Sequence, residues 1–250
     1  VRSKNPQQQH VAFLCMFAKK NMALILSIET STNICSAALA RDGKVLGLEE
    51  SFEDKSHASQ LTLFIQKLLH QQNLNAPDLD AVSISQGPGS YTGLRIGVSV
   101  AKGICYAVHK PLIAVNTLKA IALMAKETVQ NQKAFLCPMI DARRMDVYSA
   151  LFSYQMEEKQ ETRAEIIDHL AYQELLETQP IVFFGNGAEK CKEVLIHPNA
   201  LILDGIYPSA KYMAILAEEA FKAADFKDVA YFEPFYLKDF VATVPKNKLF

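Results

Sequence analysis

The sequence predicts an α/β protein built as two similar lobes, each a mixed sheet with flanking helices. Three observations carry that expectation. Short apolar runs of strand length alternate with longer stretches of helical period. Each half opens on strand, turn and strand before alternating α and β. At 250 residues, 27.8 kDa and 50% hydrophobic composition, the chain can bury one good core or two small ones side by side.

Leu24 to Ile28 is a compact apolar run, broken by Glu29-Thr30-Ser31-Thr32-Asn33 and resumed as Ile34 to Ala40. Arg41-Asp42-Gly43-Lys44 is a hairpin signal, because Gly supplies the positive φ such a turn needs. Val45 to Ser51 completes a meander. Ser56 caps a helix running to Gln72, with Leu61, Phe64, Ile65 and Leu68 on one face and Leu63 and Leu69 widening the arc. A helix apolar this far round either lies deep or uses a second face on a partner. Asp80 to Ser85 is a strand, Gly87 to Gly93 a glycine-rich loop, and Leu94 to Val108 a helix ended by His109-Lys110-Pro111. Leu112 to Val115 is the next strand and Thr117 to Gln130 the next helix.

The second half follows the same plan. Ala134 to Ile140 and Met145 to Tyr154 are strands joined by the turn Asp141-Ala142-Arg143-Arg144. Polar sequence runs to Arg163, then a strand and a helix near Tyr172 to Glu177. Ile181 to Phe184 is a buried strand whose Gly185-Asn186-Gly187 end opens another helix, and Pro208-Ser209-Ala210 starts the helix Lys211 to Ala224. Two such halves point to a bilobed actin/Hsp70-like (ASKHA) architecture, with lobes at 22–124 and 125–250, and not to one continuous Rossmann sheet. Residues 1–21 look foreign to this plan. Val1 to His10 is polar, and the apolar Val11 to Ala18 is too short to span a bilayer. Lys19 and Lys20 flank it on the wrong side for a signal peptide. The expected working start is Met22, after a disordered extension.

Net charge is −1, and no basic run exceeds a pair. Neutralising phosphates supplies most of the affinity of proteins that grip nucleic acid alone, so any such role is expected to be indirect. The five cysteines (Cys15, Cys35, Cys105, Cys137, Cys191) form no Cys-x-x-Cys pair and have apolar neighbours. They predict buried, reduced thiols and a cytoplasmic setting. The six histidines include no His-x3-His pair, and no metal site is expected.

Gln86 to Gly97 is the most informative segment. Glycines let backbone amides approach an anion, and the helix that follows adds its positive end. Gly87, Gly89, Ser90 and Thr92 would then cradle a phosphate, with Thr30 and Ser31 as the first phosphate loop. The other reading is a tight strand-to-helix turn without a ligand, beside a polar loop with surface hydroxyls. The Lys-Ser/Thr ending of a P-loop and the dinucleotide fingerprint are both lacking. Gly93, Gly97, Ala101 and Cys105 recur every fourth residue, a smooth stripe flanked by Arg95, Ser99, Lys102 and Tyr106. An interior Gly costs roughly 1 kcal/mol against Ala in a helix, so close packing is expected to offset it. That packing is either within the lobe or against a partner helix, for which Arg95 and Tyr106 are anchor types. Docking ranks first and phosphate binding second. Glu29 stands where a kinase of this architecture places a metal-associated acid, and Asp141 ends a strand at the corresponding turn. Arg143 and Arg144 suit a solvated pair, and His57 a cap or surface residue. No Ser/His/Asp or Cys/His set can be assembled.

Ile25-Leu26-Ser27-Ile28-Glu29-Thr30-Ser31, Ser56-His57-Ala58 and Gly87 to Gly97 resemble the bacterial TsaB (YeaZ) family. Asp141-Ala142-Arg143-Arg144 with Val147-Tyr148, Pro208-Ser209-Ala210 and Tyr236-Leu237-Lys238 extend the likeness over about Met22 to Val244. The resemblance implies the bilobed fold and a role in making N6-threonylcarbamoyladenosine at adenosine 37 of tRNAs that read codons beginning with A. It implies pairing with a TsaD-type catalytic paralogue, recruitment of a TsaE-type ATPase, a homodimer when alone, tRNA contact only through the complex, and no membrane. No cofactor is assigned, although ADP or ATP at a site shared with partners is left open. The catalytic relative carries His-x3-His after the strand matching Leu112 to Val115, where this chain has Thr117 and Ile121. Neither is a usual metal ligand, so a non-catalytic scaffold is expected. The family's partner interface maps onto His57, Leu61, Phe64, Ile65, Leu68, Leu94, Arg95, Val98, Ala101, Lys102 and Tyr106. The alternatives are an ATP-dependent small-molecule kinase of the same fold, whose first loop would here lack glycine, and an M22-type glycoprotease.

Overall fold

The computed structural model describes residues 22–53 and 57–237. The expected extension 1–21, the expected cap Ser56 and the end of the chain from Lys238 lie outside the described residues.

Leu24–Glu29 (β1) is buried along its whole length, as a central strand covered on both faces must be. It pairs antiparallel with Cys35–Arg41 (β2), which turns at Asp42-Gly43 into Lys44–Ser51 (β3). Ala81–Gly87 (β4) and Leu112–Asn116 (β5) add in parallel, giving the order β3-β2-β1-β4-β5. His57–Gln71 (α1) joins β3 to β4 and Tyr91–Val108 (α2) joins β4 to β5. Alternation along the strands sorts the two faces. Leu24, Leu26 and Ile28 meet Leu61, Ile65 and Leu68 of α1 and Val98, Ala101 and Cys105 of α2.

Thr117–Thr128 (α3) leads into the second sheet, made of Phe135–Asp141 (β6), Asp146–Phe152 (β7), Glu158–Ile166 (β8), Ile181–Phe184 (β9) and Ala200–Leu203 (β10). Its order, β10-β9-β6-β7-β8, repeats that of the first sheet with β6 in the place of β1. Gln173–Leu176 (α4) precedes β9 and Ala210–Lys222 (α5) follows β10.

The helix that ends each half packs on the other half's sheet. Met213, Ala217 and Phe221 of α5 lie on Ile25, Ala81, Ile113 and Val115 of the first sheet. Leu118, Ile121, Ala122 and Ala125 of α3 lie on Leu136, Ile140, Phe152 and Phe184 of the second. Full burial of a side chain such as Phe221 contributes about 1.5–3 kcal/mol. The sequence-based division at 124/125 therefore falls inside a helix that follows one sheet and covers the other. The start of α5 is pinned to the first sheet as well: Ser209 bonds the Glu50 carboxylate, and the Ala210 N–H donates to Ser36 Oγ at 2.9 Å.

Several expected elements are corrected. The polar stretch before Arg163 is already strand from Glu158, because β8 is a sheet edge whose Gln160, Thr162 and Ala164 turn inward while alternate residues face water. The helix expected after Gly187 is only a 3-10 turn, Glu189–Cys191. Gly187 is held on β6, its N–H donating to the Met139 carbonyl at 3.0 Å. The helix α2 begins at Tyr91 and not Leu94, since Ser90 Oγ accepts the Gly93 N–H at 3.2 Å and closes the first turn. No helix among the described residues is long and apolar enough to cross a membrane.

Candidate functional site: the α1–α2 face and its loops

Two loops meet at the carboxyl end of the first sheet, where open α/β sheets usually place ligands. Here they close on each other. The Ser90 N–H donates to the Ser31 carbonyl at 2.6 Å. A Cβ on Gly89 would lie 2.2 Å from that oxygen, and one on Gly93 would lie 2.1 Å from the Thr30 carbonyl. A Cβ on Gly97 would lie 2.2 Å from Thr30 Oγ1. The small-residue stripe of α2 thus receives the β1–β2 loop and β4 of its own lobe, which corrects its reading as a groove for a partner helix. Thr30 and Ser31 are fully buried, with Oγ1 and Oγ lacking hydrogen-bond partners among the described residues, and are not surface hydroxyls. Gly87 is buried, Gly89 half-buried, and Ser90 and Thr92 are exposed at the start of α2.

Glu29 ends β1 beneath this contact. Its Oε1 accepts the Ser31 N–H at 2.6 Å, while Oε2 has no hydrogen bond. Burial raises its carboxyl above the ordinary carboxylate range, outweighing the lowering effect of the Ser31 N–H and the neighbouring polar groups of Ser85 and Thr30. That environment favours the neutral acid and suits a metal-associated carboxylate poorly. Burial, with Glu29 nearby, pushes the Cys35 thiol up to about 11, and burial pushes Cys105 up to about 12. Neither thiol is a nucleophile at neutral pH. Among the described residues, no three His, Cys, Asp or Glu side chains are grouped to hold a metal ion. Thr117, the first residue of α3, and Ile121 one turn on are both fully buried.

The expected interface residues divide by burial. Leu61, Ile65, Leu68, Leu94, Val98 and Ala101 are core residues of this single chain and cannot also form its surface. His57 is buried too, its Nε2 2.9 Å from the Thr32 carbonyl, so it steadies the β1–β2 loop instead of capping α1. Phe64 and Lys102 are half-buried, Arg95 is exposed, Leu63 is 60% exposed and Tyr106 79% exposed. These last residues make the face that α1 and α2 present outward.

No local pattern in the sequence signals that this face is shared with residues 226–237 of the same chain. Beyond α5 the chain returns to β5, where the Lys227 N–H donates to the Leu112 carbonyl at 2.8 Å, and then runs back along α2. Lys102 Nζ donates to the carbonyls of Ala230 (2.9 Å) and Phe232 (3.2 Å). The Phe235 N–H donates to the Gln86 carbonyl at 2.7 Å, beside the glycine loop. Arg95 lies over the Tyr91 ring at 4.2 Å, and its Nε donates to Tyr236 OH at 3.4 Å. Between this strap and the end of α2 lies a groove of about 980 Å³ bordered by Tyr106, His109, Phe226 and Val229.

In the second lobe, the β6–β7 turn occupies the place of the β1–β2 loop. Asp141 Oδ1 accepts the Arg143 N–H at 3.0 Å, and Asn186 Oδ1 accepts the Asp141 N–H at 3.1 Å. Lys190 pairs with the Asp141 carboxylate, which is therefore engaged in holding the turn. Arg143 and Arg144 both have left-handed backbone, φ 72° and 48°. That conformation costs a non-glycine residue roughly 1–2 kcal/mol.

Two sheets of one repeated order, with the closing helices exchanged between them, define a bilobed actin/Hsp70-like protein. A family model described as "TsaD: tRNA N6-adenosine threonylcarbamoyltransferase" matches residues 51–246. The chain is 30% identical over 228 residues to the tRNA threonylcarbamoyladenosine biosynthesis protein TsaB of Escherichia coli (strain K12), covering 87% of this chain and 96% of that one. The protein of the same name from Bacillus subtilis (strain 168) is 32% identical over 131 residues, 52% of this chain and 56% of that one. Among solved structures, YeaZ from Pseudomonas aeruginosa superimposes with a TM-score of 0.75 at 26% identity, over 86% of this chain and 100% of that one. The chain belongs to the TsaB family.

Proposed function

We propose that this protein is a non-catalytic scaffold and activating subunit in the threonylcarbamoylation of adenosine 37 in tRNAs that read codons beginning with A. It would pair with a TsaD-type transferase subunit through the outward face of α1 and α2, and the pair would recruit a TsaE-type ATPase. The observation that carries this reading is the pair Thr117 and Ile121. The resemblance sets them where the catalytic relative has its two metal-binding histidines; both are fully buried at the start of α3, Ile121 in the apolar core and Thr117 with its hydroxyl unpartnered among the described residues. The buried Glu29, whose carboxyl burial raises above the ordinary range, and the closed glycine loop likewise favour a binding surface over phosphoryl transfer by this chain. ADP or ATP at a site shared with partners fits the same reading, because the loops here are occupied by each other. A cytoplasmic setting follows from the substrate, tRNA.

The test is reconstitution with the same organism's transferase subunit, ATPase and threonylcarbamoyl-adenylate synthase, read as modified adenosine 37. Omitting this chain is expected to abolish multiple-turnover modification. Equal modification with and without it would overturn the reading.

A further inference from the structure

The β2–β3 turn has left-handed backbone at both of its central residues, Asp42 and Gly43 (φ 51° and 70°), residue types that such turns favour. The β6–β7 connection is a three-residue loop between Ala142 and Asp146, and its first two residues, Arg143 and Arg144, are left-handed (φ 72° and 48°). Asn or Gly would adopt that backbone at less cost, so the loop holds two long cationic side chains in spite of its conformation. Strain of this kind concentrates at ligand clamps and switch regions.

The turn is held by hydrogen bonds at its base. The Ala142 N–H donates to the Asp146 carbonyl and the Asp146 N–H to the Arg143 carbonyl, each at 3.0 Å. Asp141, the neighbouring acid, is engaged by Lys190, Asn186 and the Arg143 N–H. Lys190 also reaches the Asp146 carbonyl at 2.6 Å. Both arginines are exposed, and neither guanidinium has a hydrogen bond or ion pair among the described residues. A guanidinium presents a planar fork that matches phosphate oxygens two at a time. Their place on an open hairpin tip suits a phosphate on the surface of a large polyanion better than an enclosed nucleotide.

We propose that Arg143 and Arg144 form an oxyanion site for the phosphodiester backbone of RNA. The inference rests on the function proposed above, which places tRNA beside this chain. With a net charge of −1 and no basic run longer than a pair, the two arginines act as a local clamp within the assembly.

The test uses Arg143→Asn/Arg144→Gly, which removes both charges and supplies residues that tolerate left-handed backbone, and Arg143→Lys/Arg144→Lys, which keeps the charge. In the reconstituted assembly, the Asn/Gly variant is expected to raise KM for an unmodified tRNA transcript about tenfold at unchanged kcat and unchanged KM for ATP. The slope of log KM against log salt should fall by about 1–2, and the Lys/Lys variant should retain most of it. Thermal stability of the Asn/Gly variant should be equal or higher, so a folding defect would not explain the loss. An unchanged KM for tRNA overturns the proposal. So does a raised KM for ATP alone, which would make a nucleotide the source of the phosphate. A titration of labelled tRNA with the isolated chain at low salt separates this from the function reading. Weaker binding by the Asn/Gly variant there supports the clamp even if omission of the chain leaves modification unchanged, and equal binding counts against it.

Discussion

Glu29 carries a carboxyl group out of water at the end of β1, and its titration has a definite sign. Below the ordinary value of 4.5 it is protonated in both the folded and the unfolded chain. As pH rises, the unfolded chain releases the proton first while the buried site retains it. The stability this group contributes is therefore full below 4.5 and is lost as pH rises through the raised folded value. Glu29→Gln keeps the shape and removes the proton equilibrium. Urea denaturation from pH 4 to 9 is expected to show the native chain losing stability relative to the Gln variant as pH rises. Parallel curves would contradict the buried neutral acid. Gly93 and Gly97 teach a related lesson about what residue spacing can tell. Their period announced a close approach to α2, and the structure has one. Whether the approaching group is a partner helix or the Thr30 backbone leaves the same mark on the sequence. Only the fold separates them.

Among the elements, strands with strong apolar runs and helices with a clear buried face were readable because burial imposes their periods. The first half of β8 and all of β10 were not. β8 is a charged edge strand with one wet side, and β10, Ala-Leu-Ile-Leu, is too short to show a period. Nor does any local pattern show which sheet a helix will cover. Met213 and Phe221 announce a buried face on α5, but the sheet they bury lies almost the whole chain away. This exchange predicts that residues 22–124 alone will not fold. Without α5, Ile25, Ile113 and Val115 would face water, and the loss of Met213 and Phe221 alone removes roughly 3–6 kcal/mol, a large fraction of typical domain stability. Circular dichroism and amide exchange of that fragment should show no cooperative transition. A cooperatively unfolding fragment would mean that the lobes are independent.

For the whole molecule, the face of α1 and α2 brings these points together. Leu61, Leu94 and Ala101 lie inside the lobe, so introducing a charge at any of them tests folding and not docking. The informative positions are Leu63 and Tyr106, exposed on the outward side, with the strap beside them contributing Tyr231 at 85% exposure. Aromatic anchors on such a face carry a disproportionate share of binding energy. The most direct measurement is the affinity of the purified transferase subunit for this chain, taken by calorimetry and co-elution with Leu63→Glu/Tyr106→Glu against the native sequence. Docking through this face requires the double variant to keep its melting temperature and bind about a hundredfold more weakly or not at all. A folded variant that binds with native affinity would place the partner elsewhere.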